Sequence, residues 1–238
     1  MIKPARIIAI LALACSSAAT GSGAPAAGAP PATARSTDAA PIPWHGIGTR
    51  ATAQYSGDGL SLSATESGAQ LACVFQKLAG EATPDGLWLN STAPDTSKGR
   101  FRAVAMTVGR TETTPHVTLA STGSVKVADR AARFVRPGLV EEYSVSADGV
   151  RQDFVIAERP PGSGDLCVEL EVSGARAEPS SGGARLVLEE GGRVLNYNRL
   201  FVTDATGHEL TARLEVVSPS SEERRVGKEG RSRWSPEH

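Results

Sequence analysis

Short runs of alternating apolar and polar residues, punctuated by glycine, proline and aspartate, constrain this chain most. Residues 165–172 (DLCVELEV) are the cleanest case. In an extended strand, successive side chains point to opposite faces. Leu166, Val168, Leu170 and Val172 then share one face, with Asp165, Cys167, Glu169 and Glu171 on the other. Residues 139–146 and 150–157 are two further β-prone runs joined through Ala147-Asp148-Gly149. Asp-Gly between such runs predicts a hairpin with a type I′ turn. Residues 59–64, 70–78, 87–89, 101–108, 185–188, 194–202 and 209–217 read as further strands, with turns at 180–183, 191–192 and 204–207. No segment carries the longer 3.6-residue period of a helix. The expected fold is all-β, an antiparallel sandwich or meander. It forms one domain or two small subdomains, with the break near 115–123.

The expected organisation has five parts. Residues 1–19 read as a secretory signal: Lys3 and Arg6 give the positive flank, residues 7–14 the apolar core, and Ser17-Ala18-Ala19 the small residues of a cleavage site. The apolar run is too short for a transmembrane helix, which needs about 20 residues. Cys15 raises the alternative of a lipoprotein signal, but Ala12 stands where a lipobox has leucine, so ordinary cleavage near Ala19 is expected. Residues 20–40, rich in alanine, proline and glycine, form a linker that cannot bury enough apolar surface to order itself. Residues 41–120 form a first β subdomain, 121–217 the sandwich or meander module, and 218–238 a disordered tail. Export places the protein outside the cytoplasm or on the cell surface. A net charge of −1 gives no reason to expect nucleic acid as a partner.

No catalytic, cofactor-binding or metal-binding residues are expected. His45, His116 and His208 stand alone in sequence, without metal-ligand spacing. They read as surface or capping residues. Glu141-Glu142 and Glu189-Glu190 are adjacent carboxylates, which a strand sends to opposite faces; solvated strand-end charge is the expectation. The segments at Asp148-Gly149 and 204–207 lack the ligand ladder of a calcium loop and read as turns. Asn90-Ser91-Thr92 matches a glycosylation sequon whose use is not expected in a bacterial protein. Cys73 and Cys167 read as small buried apolar residues, without zinc spacing. Trp44, Tyr55, Trp88, Tyr143 and Tyr197 are aromatic enough to stack on a sugar, but their spacing fits core and turn anchors better.

Two resemblances complete the reading. Residues 132–160, with 166–172, 192–197 and 202–214, resemble an N-terminal β module of large bacterial secreted or surface proteins. The matching elements are Glu142-Tyr143, the stretch from Gly149 through Gln152 to Phe154, Arg159-Pro160, and the turn Asp204-Ala205-Thr206-Gly207-His208-Glu209-Leu210. The resemblance implies FG-GAP or related β-propeller repeats following the module, and no catalytic residues. Residues 221–238 closely resemble the in-frame translation of a common sequencing adapter, departing from it at Gly230 and Glu237. That likeness implies that the segment which normally follows Val217 is missing. The expected function is scaffolding, presentation or adhesion, with Glu142 and Gln152 holding the hairpin edge. The alternatives are a stand-alone β-sandwich that binds carbohydrate or protein, through Trp44, Trp88 or Tyr197, and, less favoured, a hydrolase. The partner would be a cell-surface glycan or protein.

Overall fold

The computed structural model describes residues 5–12, 51–52, 55, 57–94 and 99–217. Trp44, His45, Cys15, the linker and the adapter-like tail lie outside the described residues. Apart from Ala51 and Thr52, which are helical, the regular elements formed by the described residues are β-strands, and all their pairings are antiparallel. Among those residues, no helix is long and apolar enough to cross a membrane.

Chain order begins with β1 (Ala5–Ala12), followed by a meander of β2 (Leu60–Ala64), β3 (Ala69–Cys73), β4 (Leu78–Thr83), β5 (Gly86–Ser91) and the long β6 (Arg100–Arg110). Next come β7 (Thr113–Thr118), β8 (Ser124–Ala128), β9 (Ala131–Arg136), β10 (Leu139–Ser146) and β11 (Gly149–Val155). The chain ends with β12 (Leu166–Ser173), β13 (Ala175–Ser180), β14 (Gly183–Leu188), β15 (Val194–Asn198), β16 (Val202–Thr203) and β17 (Glu209–Val217).

One long sheet runs β16-β17-β1-β12-β6-β5-β4-β3-β2, with β7 also paired to β6. Two smaller sheets, β11-β10-β9-β8 and β13-β14-β15, form the second layer. The first packs on β2, β3 and β4, and the second on β1, β12 and β17. All three sheets are open, and no closed propeller forms among the described residues. The expected break near 115–123 covers the second half of β7 and the connection to β8. Strands on both sides of it share the long sheet, because β6 pairs with β12 from Arg102 to Arg110.

The alternation of β12 reaches the structure intact. Val168, Leu170 and Val172 are buried against Phe101, Ala105 and Val108 of β6 and Leu186 and Leu188 of β14. A second cluster gathers Leu71, Leu87 and Val104 around Phe134 and Tyr143. Full burial of each large apolar side chain contributes about 1.5–3 kcal/mol, so these two clusters hold the layers together.

Local details depart from the expectations in physically simple ways. The run 70–78 is not one strand. Residues 74–77 turn between β3 and β4, closed by the Lys77 N–H donating to the Val74 carbonyl at 3.0 Å. Lys77 takes a positive φ of 47° there. The run 194–202 is broken where Arg199 adopts φ 63°. The hairpin of β10 and β11 is present, but Ser146 pairs with Gly149, which makes Ala147-Asp148 the turn. Gly149 follows at φ 130°, taking the left-handed backbone that a type I′ turn would have placed at both turn residues.

Residues 7–12 of the apolar core expected for an export signal lie in β1. This strand lies between β12 and β17, with Ile8 opposite Glu169 on one side and Glu215 on the other. An apolar run of this length suits a signal core and a central strand equally.

Candidate functional site

The most polar part of the interior lies between the layers, around Glu141. This carboxylate is fully buried. On β10 it sits opposite Phe134 of β9 and Phe154 of β11. Four donors surround its two oxygens. Arg136 Nη2 and the Ala105 N–H (3.1 Å) donate to Oε1, while the Tyr143 hydroxyl (2.9 Å) and Gln152 Nε2 (2.5 Å) donate to Oε2.

The partners extend outward. Arg136 Nη1 donates to the carbonyls of Ala105 at 2.8 Å and Ala120 at 3.0 Å, and its guanidinium lies 4.6 Å from the Phe134 ring centre. Gln152 Nε2 donates to the Ala103 carbonyl at 3.1 Å, and its Oε1 accepts from the Tyr197 hydroxyl at 3.1 Å. The network therefore joins β9, β10 and β11 of one small sheet, β6 of the long sheet and β15 of the other small sheet.

Its electrostatics follow from burial. Burial pushes the Glu141 carboxyl up from its usual range, against the opposing pull of Arg136 and the other donors. Burial also lowers the Arg136 guanidinium and raises the Tyr143 and Tyr197 phenols. The four donors occupy the acceptor positions of an ionised carboxylate, which leaves it no lone pair with which to take a substrate proton. This arrangement pins three sheets together.

The reading of Glu141-Glu142 as solvated charge is corrected for Glu141. The strand does send the pair to opposite faces, but the Glu141 face is the interior. Glu142 points the other way and pairs with Arg133 Nε at 2.5 Å. The sequence held one signal for this network. Phe134 and Arg136 alternate on β9 with the parity of Leu139, Glu141 and Tyr143 on β10. Opposite charges at core-facing positions of one hairpin point to a buried pair.

The aromatic candidates do not converge. Tyr143 is fully buried. Tyr197 is tied by its hydroxyl to Gln152. Trp88 is half-buried beneath two guanidinium groups, Arg100 at 4.3 Å and Arg102 at 4.9 Å from its ring centre. Tyr55 lies at the β3–β4 end, in an edge-to-face contact with Phe75 at 5.1 Å.

The turn candidates are satisfied internally. The Asp204 carboxylate accepts from the Thr206 and His208 N–H groups and the Thr206 hydroxyl, within 2.9 Å. Those bonds hold it below the ordinary carboxylate range. Asp148 pairs with Arg199 at 2.7 Å. In the sequon, Ser91 is buried within β5 and its hydroxyl accepts from Arg193 at 3.0 Å. Glu189 and Glu190 are exposed.

Cys73 and Cys167 are both buried and unpaired with each other. The Cys73 thiol donates to the Ser146 carbonyl at 3.3 Å. The Cys167 thiol is pushed up to about 11, by burial first and then by the Glu169 and Glu215 carboxylates. His208 is exposed, as expected. His116 is not a surface residue: its side chain is 15% exposed and its Nδ1 lies 3.4 Å from Glu169 Oε1. The ligand atoms of His116, Cys167 and Glu169 all lie within 4.8 Å of one another.

The chain matches no family model, no curated protein and no solved structure.

Proposed function

We propose that the chain is a non-enzymatic module of an exported bacterial repeat protein, serving as scaffold, for presentation, or in adhesion. The observation that carries this reading is the dispersal of the described aromatics. Tyr143, Tyr197 and Trp88 are each consumed by internal contacts. A glycan-binding face needs stacking rings exposed side by side. The same reading accounts for Glu141, whose bonding capacity is spent on joining sheets. Expected repeats after Val217 would supply the contacts with other molecules.

A second reading, binding of a partner protein by the module itself, rests on one end of the β2–β4 meander. Val74 is 64% exposed, Phe75 51% and Tyr55 37%. Exposed apolar groups in one place mark docking surfaces more often than chance.

A binding and turnover screen separates the readings. The purified full chain is expected to elute unretarded from immobilised glycans and to leave chromogenic glycoside, ester and peptide substrates intact. Retention on a glycan that Trp88→Ala abolishes would replace the scaffold reading with a carbohydrate-binding one. Turnover would replace both.

A further inference from the structure

We propose that His116, Cys167 and Glu169 bind one zinc ion on the outer face of the long sheet. Two strands that flank β6 supply the ligands. Cys167 and Glu169 are two apart on β12 and share the face opposite the core residues Val168 and Leu170. His116 reaches the same place from β7, across β6.

The protonation chemistry of His116 makes the position specific. Its Nε2 lies 3.2 Å from the Arg110 carbonyl oxygen, which can only accept. Nε2 therefore carries the hydrogen. A backbone carbonyl fixing one ring nitrogen in this way is the usual support of a metal-bound histidine. In the neutral ring, Nδ1 then presents a lone pair to Glu169 Oε1 at 3.4 Å. Two acceptors facing each other repel unless a proton or a cation lies between them. Zinc bonds of about 2.0–2.2 Å to nitrogen and oxygen put two tetrahedral ligands about 3.4 Å apart, which is the separation found. Cys167 Sγ, within 4.8 Å of both, closes to zinc distance with a movement of about 1 Å.

The backbone makes room for this arrangement. A Cβ at Gly109 would meet the His116 ring at 2.6 Å, so glycine allows the ring to lie against β6. Gly109 stands opposite Cys167, and the β6–β7 ladder shifts register between Val108 and Arg110. Beside Glu169 lies a hollow of about 200 Å³ lined by Met106, Thr107, Thr118, Glu169, Leu170 and Glu171. The Thr107 hydroxyl oxygen is buried without a hydrogen-bond partner among the described residues. A water on the fourth zinc position would face the hollow and offer that hydroxyl a partner. Nitrogen, sulfur and oxygen ligands in one set favour zinc over magnesium or calcium, which take oxygen alone. The ion would fasten β7, much of which is exposed, to the sheet.

The test uses the reduced full chain stripped of metal by chelation. Zinc is expected to bind at one equivalent per chain and to raise the melting temperature by about 5–10 °C at a hundredfold excess over Kd. Cobalt(II) in its place is expected to give a thiolate charge-transfer band and the visible bands of a tetrahedral site. Cys167→Ser should abolish the thiolate band, and His116→Gln and Glu169→Gln should each weaken zinc binding at least about tenfold. Cys73→Ser should change neither readout. Should the serine variant fail to fold, Glu169→Gln decides, since its side chain lies on the outer face at 26% exposure. A cobalt complex without thiolate character, or zinc binding equal in all three ligand variants, overturns the proposal.

Discussion

Glu141→Ala is expected to lower the melting temperature by about 6–20 °C. Removing one partner of a buried ion pair costs about 3–5 kcal/mol, and in a chain of this size each kcal/mol moves the midpoint by about 2–4 °C. The loss is large because Arg136 stays behind with its charge: its side chain is 1% exposed and has no route to water. The Ala105 N–H, the Tyr143 hydroxyl and Gln152 lose an acceptor as well. A domain with a total stability of about 5–15 kcal/mol cannot absorb much of this. The double variant Arg136→Met, Glu141→Leu should recover a good part of the loss, because it removes both charges. Recovery should be incomplete, since the Ala105 N–H and the Tyr143 hydroxyl still lack their acceptor. Urea unfolding of Arg136→Met, Glu141→Leu and the double variant gives the coupling directly. A Glu141→Ala protein within 1 kcal/mol of the parent, on the order of an ordinary surface substitution, would show that the network does not hold the sheets.

Removal of residues 1–19 is the second large effect. Cleavage near Ala19, expected from the sequence, takes β1 away. The ladders from Ala5 to Leu11 on β12 and from Arg6 to Ala12 on β17 are then lost. β12 keeps β6 as a neighbour, whereas β17 keeps only the two-residue β16. In the chain beginning at Thr20, amide exchange in β17 is expected to rise steeply, while β6 and the inner ladder of β12 stay protected. The uncovered edges should also promote self-association. A synthetic peptide with the sequence of residues 5–12, added in excess, should restore protection to β17. Exchange in β17 that is unchanged by the truncation would mean that β1 is not what covers it.

The features legible in the sequence were the local ones. Period-two alternation placed Val168, Leu170 and Val172 inside, and Asp148-Gly149 marked the hairpin of β10 and β11. The Ser-Ser-Gly-Gly turn at 180–183 led into the strand expected at 185–188, and Ser180 pairs with Gly183, but β13 before it was not read as a strand. Pairings between distant segments were not legible. Nothing local in β6 announces β12 as its neighbour, because both are apolar strands able to pair with many others. The turn at 74–77 was hidden by Val74 and Phe75, apolar residues that remain exposed. The buried ion network was missed because adjacency of Glu141 and Glu142 was weighed, rather than the parity of each with its strand. His116 looked solitary because its neighbours are 51 and 53 residues away in sequence (167 − 116 and 169 − 116). They meet only through sheet pairing.

The proposal of an exported scaffold is tested most directly by the intact mass of the natural protein after cell fractionation. The predicted species is recovered outside the cytoplasm with residues 1–19 removed, its first residue Thr20. A chain beginning at Met1 and confined to the cytosol would contradict export and make β1 a permanent strand of the long sheet.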